Sequence, residues 1–246
     1  MSFILQTFNL KKTYGDKIAL DGLDLNIPTG GIYGFLGING AGKTTTISIL
    51  GRFILPTSGH FSIKGKLSIL PQDARFYPGR KIKSQMEFFA RLSGVPASKA
   101  KGEVHRILDG VGLLEKANIA AEKISHGMYK RLGIAQALLG NPDILLLDEP
   151  TAGLDPENAF EMRKMIKALA KEKTIVISSH NLHEISEMCE NIGIIHEGKL
   201  RFEGKTSDLT RGKTLETSFL EIIKRPTNEN PSEKFQVNQL ETFSPV

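Results

Sequence analysis

A stretch of eight residues near the N-terminus constrains the fold more than any other part of this sequence. Residues 37–44 read Gly-Ile-Asn-Gly-Ala-Gly-Lys-Thr, which matches the pattern G-x-x-x-x-G-K-[ST] at every fixed position. The pattern has meaning only between a strand and a helix, and its flanks predict both, a strand at 31–36 and a helix at 45–53. The sequence therefore predicts an α/β fold with a phosphate-binding loop at one edge of its sheet.

The chemistry of this loop explains its residue types. Glycines let successive backbone N–H groups converge on phosphate oxygens, and the start of the following helix adds the positive end of its dipole. Lys43 is expected to reach the β- and γ-phosphates of a nucleotide, and the Thr44 hydroxyl to bind Mg²⁺. With glycine at its average frequency, a chance match has odds of roughly 1%. The residues expected to contact the nucleotide here are Gly37, Ile38, Asn39, Gly40, Ala41, Gly42, Lys43, Thr44 and Thr45.

A pair of acids supports the same site. Residues 144–149 read Ile-Leu-Leu-Leu-Asp-Glu, an apolar strand that ends in two carboxylates. Ligands of open α/β sheets bind at the carboxyl edge of the strands, so both acids are expected there. Asp148 would hold Mg²⁺ directly or through water, and Glu149 would act as general base toward an attacking water. By itself such a pair is more often a helix cap or a surface turn. The presence of the phosphate-binding loop makes a functional role the favoured interpretation.

Composition and charge limit the class of protein. The chain has 246 residues and 40% apolar content, enough for one large α/β domain or two small ones. Its apolar runs are far shorter than the roughly 20 residues of a membrane-spanning helix, its N-terminus does not resemble a signal peptide, and Cys189 has no second cysteine to pair with. We therefore expect no spanning segment and a cytoplasmic location. The net charge of +5 is interspersed with acids, so no nucleic-acid partner is expected.

Apolar runs alternate with helical patterns along the chain, which predicts a mostly parallel sheet covered by helices. The predicted core strands are 31–36, 67–70, 144–147, 174–178 and 192–195, and a separate hairpin-like sheet is predicted from 3–8 and 18–27. Helical periodicity over about 78–141 predicts an inserted helical subdomain. Asp155-Pro156-Glu157 predicts a further helix start. Residues 225–246, with three prolines and three asparagines, are predicted to be a tail after a domain of residues 1–224.

Together these motifs resemble those of the ABC ATPase family, over about residues 3–219. The resemblance implies a P-loop NTPase core with a mostly parallel sheet, an N-terminal antiparallel β-subdomain and an inserted helical subdomain, with ATP and Mg²⁺ as ligands. It also implies roles for two residues that are unremarkable alone. Tyr14 would stack on adenine, and Gln72 would touch Mg²⁺ and water and link the site to a membrane permease.

Three further segments resemble family motifs, and two of them are motifs that act across a dimer of ATPase subunits. Residues 124–128, Ile-Ser-His-Gly-Met, resemble the family signature, which implies that Ser125 and the amide of Gly127 bind the γ-phosphate held by the opposite subunit. Asp155 lies in a segment that resembles the loop crossing the dimer interface, and His180 matches the histidine that contacts the γ-phosphate and orients water. Taken alone, Ser125 is an ordinary helix cap and His180 a satisfied polar residue.

The sequence departs from the family pattern in two places. His126 stands where the signature commonly has glycine, and Met128 where it has glutamine. Activity is expected because Ser125 and Gly127 are present, while a weakened composite site, or a second and different ATPase subunit, stays open. The other departure is length: the chain from Thr44 to Gln72 is about ten residues shorter than usual, which predicts a shortened antiparallel subdomain.

These expectations combine into one function. The chain is expected to be the ATP-binding and ATP-hydrolysing subunit of an ABC transporter, peripheral on the inner face of the cell membrane, and to power transport, with export favoured, by ATP-dependent dimer closure. Its partners would be a transmembrane permease and a second ATP-binding subunit, with a homodimer favoured and a heterodimer open. The catalytic residues would be Lys43, Gln72, Glu149 and His180, and the Mg²⁺ ligands Thr44, Gln72 and Asp148.

Two alternatives to this function stay open. One is a soluble ABC ATPase outside transport, but such proteins usually carry a second ATPase domain or a long coiled coil, and this sequence shows neither. The other is a weakly active nucleotide-binding subunit of a heterodimer, for which the altered signature leaves room. The transported molecule has no signature in the sequence.

Overall fold

The computed structural model describes residues 2–224 as two β-sheets flanked by helices. The strands are β1 (Phe3–Tyr14), β2 (Lys17–Leu23), β3 (Asn26–Pro28), β4 (Ile32–Leu36), β5 (Ser58–Ile63), β6 (Leu67–Leu70), β7 (Ile144–Asp148), β8 (Thr174–Ser179), β9 (Asn191–His196) and β10 (Lys199–Lys205). The α-helices are α1 (Lys43–Leu50), α2 (Ile82–Leu92), α3 (Ala97–Gly110), α4 (His126–Leu138), α5 (Pro156–Leu169), α6 (Leu182–Met188), α7 (Thr206–Thr210) and α8 (Leu215–Lys224).

The larger sheet has the strand order β10-β9-β4-β8-β7-β6. Its strands β9, β4, β8, β7 and β6 run parallel, and β10 pairs antiparallel with β9. The mostly parallel sheet predicted from the sequence is therefore confirmed, and the predicted strand at 67–70 has the bounds of β6. Strand β10 was missed because its sequence, Lys-Leu-Arg-Phe-Glu-Gly-Lys, is half charged; it follows a tight turn in which both Glu197 and Gly198 have positive φ.

This sheet is buried on both faces, as the continuous apolar runs of its strands require. Along β7, Ile144 and Leu146 pack into the cluster that includes α1 and the N-terminal sheet, while Leu145 and Leu147 pack into the cluster that includes α5, α6 and α8. Successive side chains of a strand point to opposite faces, so one strand contributes to both clusters. Three layers result, and the polar strand ends emerge together at one edge.

The smaller sheet is antiparallel, with β2 and β3 pairing with β1 and with β5 also pairing with β1. The single strand predicted at 18–27 was wrong, because it divides between Leu23 and Asn26. The Thr7 hydroxyl bridges the break by donating to the Leu23 carbonyl and accepting from the Leu25 amide, both at 2.8 Å. The strand predicted at 3–8 continues to Tyr14 through a left-handed Asn9 (φ 47°). The short segment after Ser58 was expected to leave little room for an antiparallel edge. The structure has one antiparallel strand there, β5.

The region predicted as a helical subdomain contains α2, α3, α4 and two short 3₁₀ turns, packed around their own apolar cluster. The helix predicted at 45–53 begins earlier, at Lys43, and ends at Leu50. It ends there because Arg52 is left-handed (φ 60°) and the Phe53 amide turns back to bond the Ser48 carbonyl at 2.9 Å. The predicted tail, 225–246, lies outside the described residues. Within 2–224, no helix is long and apolar enough to cross a membrane.

Candidate functional site

The glycine-rich loop joins β4 to α1 in a conformation that other residues would resist. A Cβ atom on Gly37 would lie 2.6 Å from the Ile195 carbonyl oxygen, and one on Gly42, whose φ is 116°, would lie 2.9 Å from the Ala19 carbonyl oxygen. The loop is also tied to the turn between β9 and β10, because the Gly198 amide donates to the Ala41 carbonyl at 2.9 Å. Glycine is needed at these positions for close backbone approach, and the loop is held at the carboxyl edge of the sheet.

Lys43 begins α1 and folds its side chain back into the loop. Its ammonium donates to the carbonyls of Gly37 at 2.6 Å and Ile38 at 3.3 Å, and the residue is only 8% exposed. Burial lowers the pKa of Lys43, while the nearby carboxylates of Glu149 and Asp148 act in the opposite direction. The buried Lys43 ammonium is suited to bind a phosphate. A phosphate carries full negative charge, whereas the backbone carbonyls carry only partial charges. Thr44 is exposed beside it, at the start of the helix.

Asp148 ends β7 and is buried, with its Oδ1 atom accepting a hydrogen bond from the Ser178 hydroxyl. Burial raises the pKa of Asp148, against the lowering effect of the Ser178 hydrogen bond. Ser178 is opposite Asp148 in the β7–β8 register, so it was missed by the sequence analysis: only the pairing of the two strands brings them together. A buried carboxylate with a raised pKa fits a cation ligand, since a divalent ion would compensate the buried charge.

Glu149 follows in a left-handed conformation (φ 49°), uncommon for a residue with a side chain. The turn holds it there, because the Glu149 amide donates to the Ser178 carbonyl at 3.0 Å and its carbonyl accepts from the Ala152 amide at 3.2 Å. Glu149 Oε1 lies 2.7 Å from Nδ1 of His180, the residue after β8. The Glu149 side chain is 9% exposed and that of His180 is 62% exposed. The imidazole thus orients a shielded carboxylate while staying open to a ligand.

These contacts bring four predicted residues to one edge: Lys43 after β4, Asp148 and Glu149 at the end of β7, and His180 after β8. The three strands are neighbours in the order β4-β8-β7, so their carboxyl ends meet although they are far apart in the chain. Open α/β sheets bind ligands at such a place.

Gln72 approaches the same edge from the segment between β6 and α2. It is exposed, and its carbonyl accepts from Lys130 Nζ at 3.3 Å. Gln72 and Asp148 line one cavity of about 560 Å³, which His126 and Gly153 also line. No cluster of three or more His, Cys, Asp or Glu within residues 2–224 could hold a metal by itself. The residues present fit Mg²⁺, which keeps several waters and binds through one or two carboxylates together with substrate phosphates.

Three other predicted residues lie on different elements. Ser125 caps α4 by accepting from the Met128 amide at 3.3 Å, and Asp155 caps α5 by accepting from the Asn158 amide at 2.9 Å. The hydrogen bonds that Asp155 accepts from the backbone amide and the side chain of Asn158 lower the pKa of Asp155. A Cβ on Gly127 would lie 2.3 Å from Oδ1 of Asn158, so the starts of α4 and α5 are in contact.

The start of α4 and the loop before α5 reach the sheet edge at one place, because His126 and Gly153 line the cavity that Asp148 lines. Among the described residues, no hydrogen bond links Ser125, Gly127 or Asp155 to Lys43, Glu149 or His180. Tyr14 also stands apart, half exposed at the end of β1, with Lys12 Nζ 5.0 Å from the centre of its ring.

Comparison with known proteins decides the family. Residues 20–152 match the family described as ABC transporter. The chain is also similar to the bacitracin transport ATP-binding protein BcrA of Bacillus licheniformis, with 43% identity over 214 residues that cover 81% of this chain and 69% of that protein. The chain belongs to the ABC transporter family. The matched region of this ABC protein contains the glycine-rich loop, Gln72, the signature-like segment and the two acids, while Asp155 and His180 lie beyond it.

Other ABC proteins agree with this assignment. The Nod factor export ATP-binding protein I of Burkholderia orbicola (strain AU 1054) is 35% identical over 209 residues, covering 80% of this chain and 69% of that protein. The solved structure of cbiO1 from Clostridium perfringens, part of the ABC transporter complex cbiONQ, has a TM-score of 0.76 and 25% identity, covering 86% of this chain and 92% of that one. The P-loop NTPase fold expected from the sequence is therefore confirmed, and the chain is an ABC-type ATP-binding subunit.

Proposed function

We propose that this chain binds and hydrolyses ATP with Mg²⁺ and that the reaction drives export through a membrane permease. One observation carries the catalytic part: Lys43, Asp148, Glu149 and His180 meet at a single sheet edge, with Glu149 and His180 2.7 Å apart. Family membership carries the transport part. The names of two similar proteins support this: one is named for bacitracin transport, and the other, named for Nod factor export, supports outward transport.

The proposed roles follow from the chemistry of each group. Backbone N–H groups of the glycine-rich loop and the Lys43 ammonium bind the phosphates, and the Tyr14 ring stacks on adenine. Thr44, Asp148 and Gln72 would hold Mg²⁺, which when bound supplies charge neutralisation for the transferred phosphoryl group. Glu149 takes the proton of the attacking water, and His180 keeps the Glu149 carboxylate oriented while its exposed ring contacts the γ-phosphate.

The second half of the site would come from another ATP-binding subunit. Ser125, Gly127 and Asp155 lie at the starts of α4 and α5 and make no hydrogen bond to Lys43, Glu149 or His180, so a nucleotide between two subunits is the arrangement that uses both sets. In this proposal ATP closes the dimer and hydrolysis loosens it. A homodimer on the inner face of the membrane, beneath the permease, needs no further ATP-binding chain.

A heterodimer with a weaker site is favoured by one observation. The His126 side chain, where family members commonly have glycine, reaches Gly153: a Cβ on Gly153 would lie 3.4 Å from His126 Nε2. The imidazole therefore occupies space between the signature-like segment and the loop before Asp155. A different partner subunit would then supply the more active signature.

Phosphate release by the purified chain, measured over a wide range of protein concentration with Mg²⁺ and ATP, tests the proposal. We expect a specific activity that rises with protein concentration, because two subunits complete each site. Glu149→Gln should retain ATP binding and lose about 100-fold or more of the turnover, because it removes the general base. Glu172→Gln, a change at an exposed glutamate after α5, is the matched control and should keep full activity.

Each outcome bears on a different part of the proposal. Full turnover in Glu149→Gln would overturn the assignment of the base. Tight ATP binding without turnover in the unchanged protein would favour the heterodimer, and addition of a candidate partner should then restore activity. Absence of ATP binding would contradict the proposed function altogether.

A further inference from the structure

A second contact joins the two segments that carry Glu149 and His180. Thr151 lies two residues after Glu149, and Glu184 lies four residues after His180, in α6. Both side chains are buried, each residue being 8% exposed, and the Thr151 hydroxyl donates to Glu184 Oε2 at 2.5 Å. The sequence did not predict this contact, because nothing local relates positions 33 residues apart.

The Glu184 carboxylate is held from the other side as well. Its Oε1 atom accepts from Arg163 Nη1 at 3.2 Å, and the Arg163 Nε atom lies 3.6 Å from Oε2 of Glu187. The Glu184 amide donates to the Asn181 side chain, which caps α6. A buried carboxylate whose two oxygens are both engaged has little freedom to rotate, so Thr151 and Glu184 hold a fixed position relative to each other and move together.

Two side-chain hydrogen bonds therefore connect the segment after β7 to the segment after β8. The first is Glu149 with His180, and the second is Thr151 with Glu184. A single contact would allow one segment to pivot on the other, whereas two contacts couple their positions. The chain from Thr151 leads directly into the loop that ends at Asp155, where the cap of α5 fixes its far end.

We propose that Glu184 is a positioning residue that, through Thr151, couples His180 to the partner-facing loop at residues 152–155. A shift of His180 on contact with the γ-phosphate would then move that loop, and loss of the γ-phosphate would release it. The inference rests on the proposed function, since it assigns a role within the same ATP site.

The test variant replaces the Thr151 hydroxyl by a methyl group and keeps the shape of the side chain. Thr151→Val should lower kcat by about 10- to 100-fold, because misplacement of the catalytic segments affects the reaction more than the binding of ATP. The Kd for ATP at protein concentrations too low for dimerisation should stay within about twofold, since Lys43 and the glycine-rich loop are untouched. Thr151→Ser, which keeps the hydroxyl, should recover most of the lost turnover.

A matched control separates positioning from stability. Tyr33 of β4 donates its hydroxyl to Glu203 Oε1 of β10 at 2.7 Å, a partly buried contact in which no proposed site residue takes part. Tyr33→Phe likewise removes a bond from a buried hydroxyl to a carboxylate and leaves Glu203 with the Asn26 donors, as Thr151→Val leaves Glu184 with Arg163. We expect it to lower the thermal midpoint to a similar extent while kcat stays unchanged.

Dimerisation with a non-hydrolysable ATP analogue, followed by analytical ultracentrifugation, is the second readout. Thr151→Val should weaken the dimer and Tyr33→Phe should not.

Wild-type turnover in Thr151→Val, or equal losses of kcat in Thr151→Val and Tyr33→Phe, would overturn this inference and leave the proposed function standing. Absence of ATP binding in the unchanged protein would instead contradict the proposed function. If Thr151→Val does not fold, Thr151→Ala is measured in the same way.

Discussion

At the scale of single residues, the site holds groups that oppose folding in the absence of a ligand. Lys43 is buried against carbonyl groups, Asp148 is buried with a raised pKa, and Glu149 is left-handed. Each arrangement is unfavourable for an isolated domain and useful for a phosphate and a divalent cation. Strain and buried charge of this kind concentrate at functional sites.

Asp148→Asn tests this conflict between stability and function. Because burial raises the pKa of Asp148, the ionised side chain opposes folding at neutral pH, and this effect fades as the pH falls. The amide carries no charge, so we expect the thermal midpoint of the nucleotide-free protein to rise by about 2–4 °C while Mg²⁺-dependent hydrolysis is lost. Asp16→Asn, in the exposed turn after β1, should leave both unchanged. A lower midpoint in Asp148→Asn would contradict the argument.

At the scale of elements, the starts of α4 and α5 form one packed unit. Gly127 of α4 lies against the Asn158 side chain of α5, and Asn158 in turn donates to both carboxylate oxygens of Asp155. The signature-like segment and the loop before α5 are thereby placed relative to each other within one subunit. A change at the contact should affect both segments together.

Two glycine-to-alanine substitutions in helices are expected to act in opposite directions. Gly127→Ala would place a methyl group 2.3 Å from Asn158 Oδ1, so the Asn158 side chain must move away from its bond to Asp155, and we expect a loss of about 1 kcal/mol and weaker ATP-dependent dimerisation. Gly102→Ala in α3 meets no atom within 4 Å and removes a flexible residue from a helix interior, which should stabilise the protein by about 0.5–1 kcal/mol. Urea unfolding of both variants measures the difference. Equal effects would show that the α4–α5 contact contributes nothing.

At the scale of the whole molecule, Glu203 of β10 connects the two sheets. Its carboxylate accepts from the amide and side chain of Asn26 in β3 and from the hydroxyl of Tyr33 in β4. The phenol is buried, and burial together with the Glu203 charge raises its pKa well above the usual range. The N-terminal sheet, which carries Tyr14, is held to the core sheet partly by this network.

Glu203→Ala should therefore loosen the junction between the sheets. The change leaves the Tyr33 hydroxyl buried without its acceptor, so we expect the free energy of unfolding to fall by about 1–3 kcal/mol. Hydrogen exchange should accelerate first in β3, whose amide at Asn26 loses its partner. Glu172→Ala, at an exposed position, should stay within about 0.5 kcal/mol of the unchanged protein. Unchanged exchange in β3 would show that the network does not hold the sheets together.

Whether a feature of the fold or the site could be predicted from the sequence depends on how far apart along the chain its determining residues lie. The glycine-rich loop, the apolar strands 67–70 and 144–147, and the caps Ser125 and Asp155 are local patterns, and the structure has the corresponding strands and caps where they were expected. Strand β10 and the break after Leu23 were missed, because the first is stabilised by its neighbour β9 and the second by the Thr7 side chain from another strand.

By itself, the sequence determined the residue types of the site and the backbone around each of them, because glycine conformations, helix caps and apolar runs act over a few residues. Only the tertiary structure decided which of these groups meet. Strands β4, β8 and β7 are neighbours in the sheet but not in the chain, and their order places Ser178 on Asp148, His180 on Glu149 and Glu184 on Thr151. These pairings depend on side-chain packing between layers, which carries no local signature.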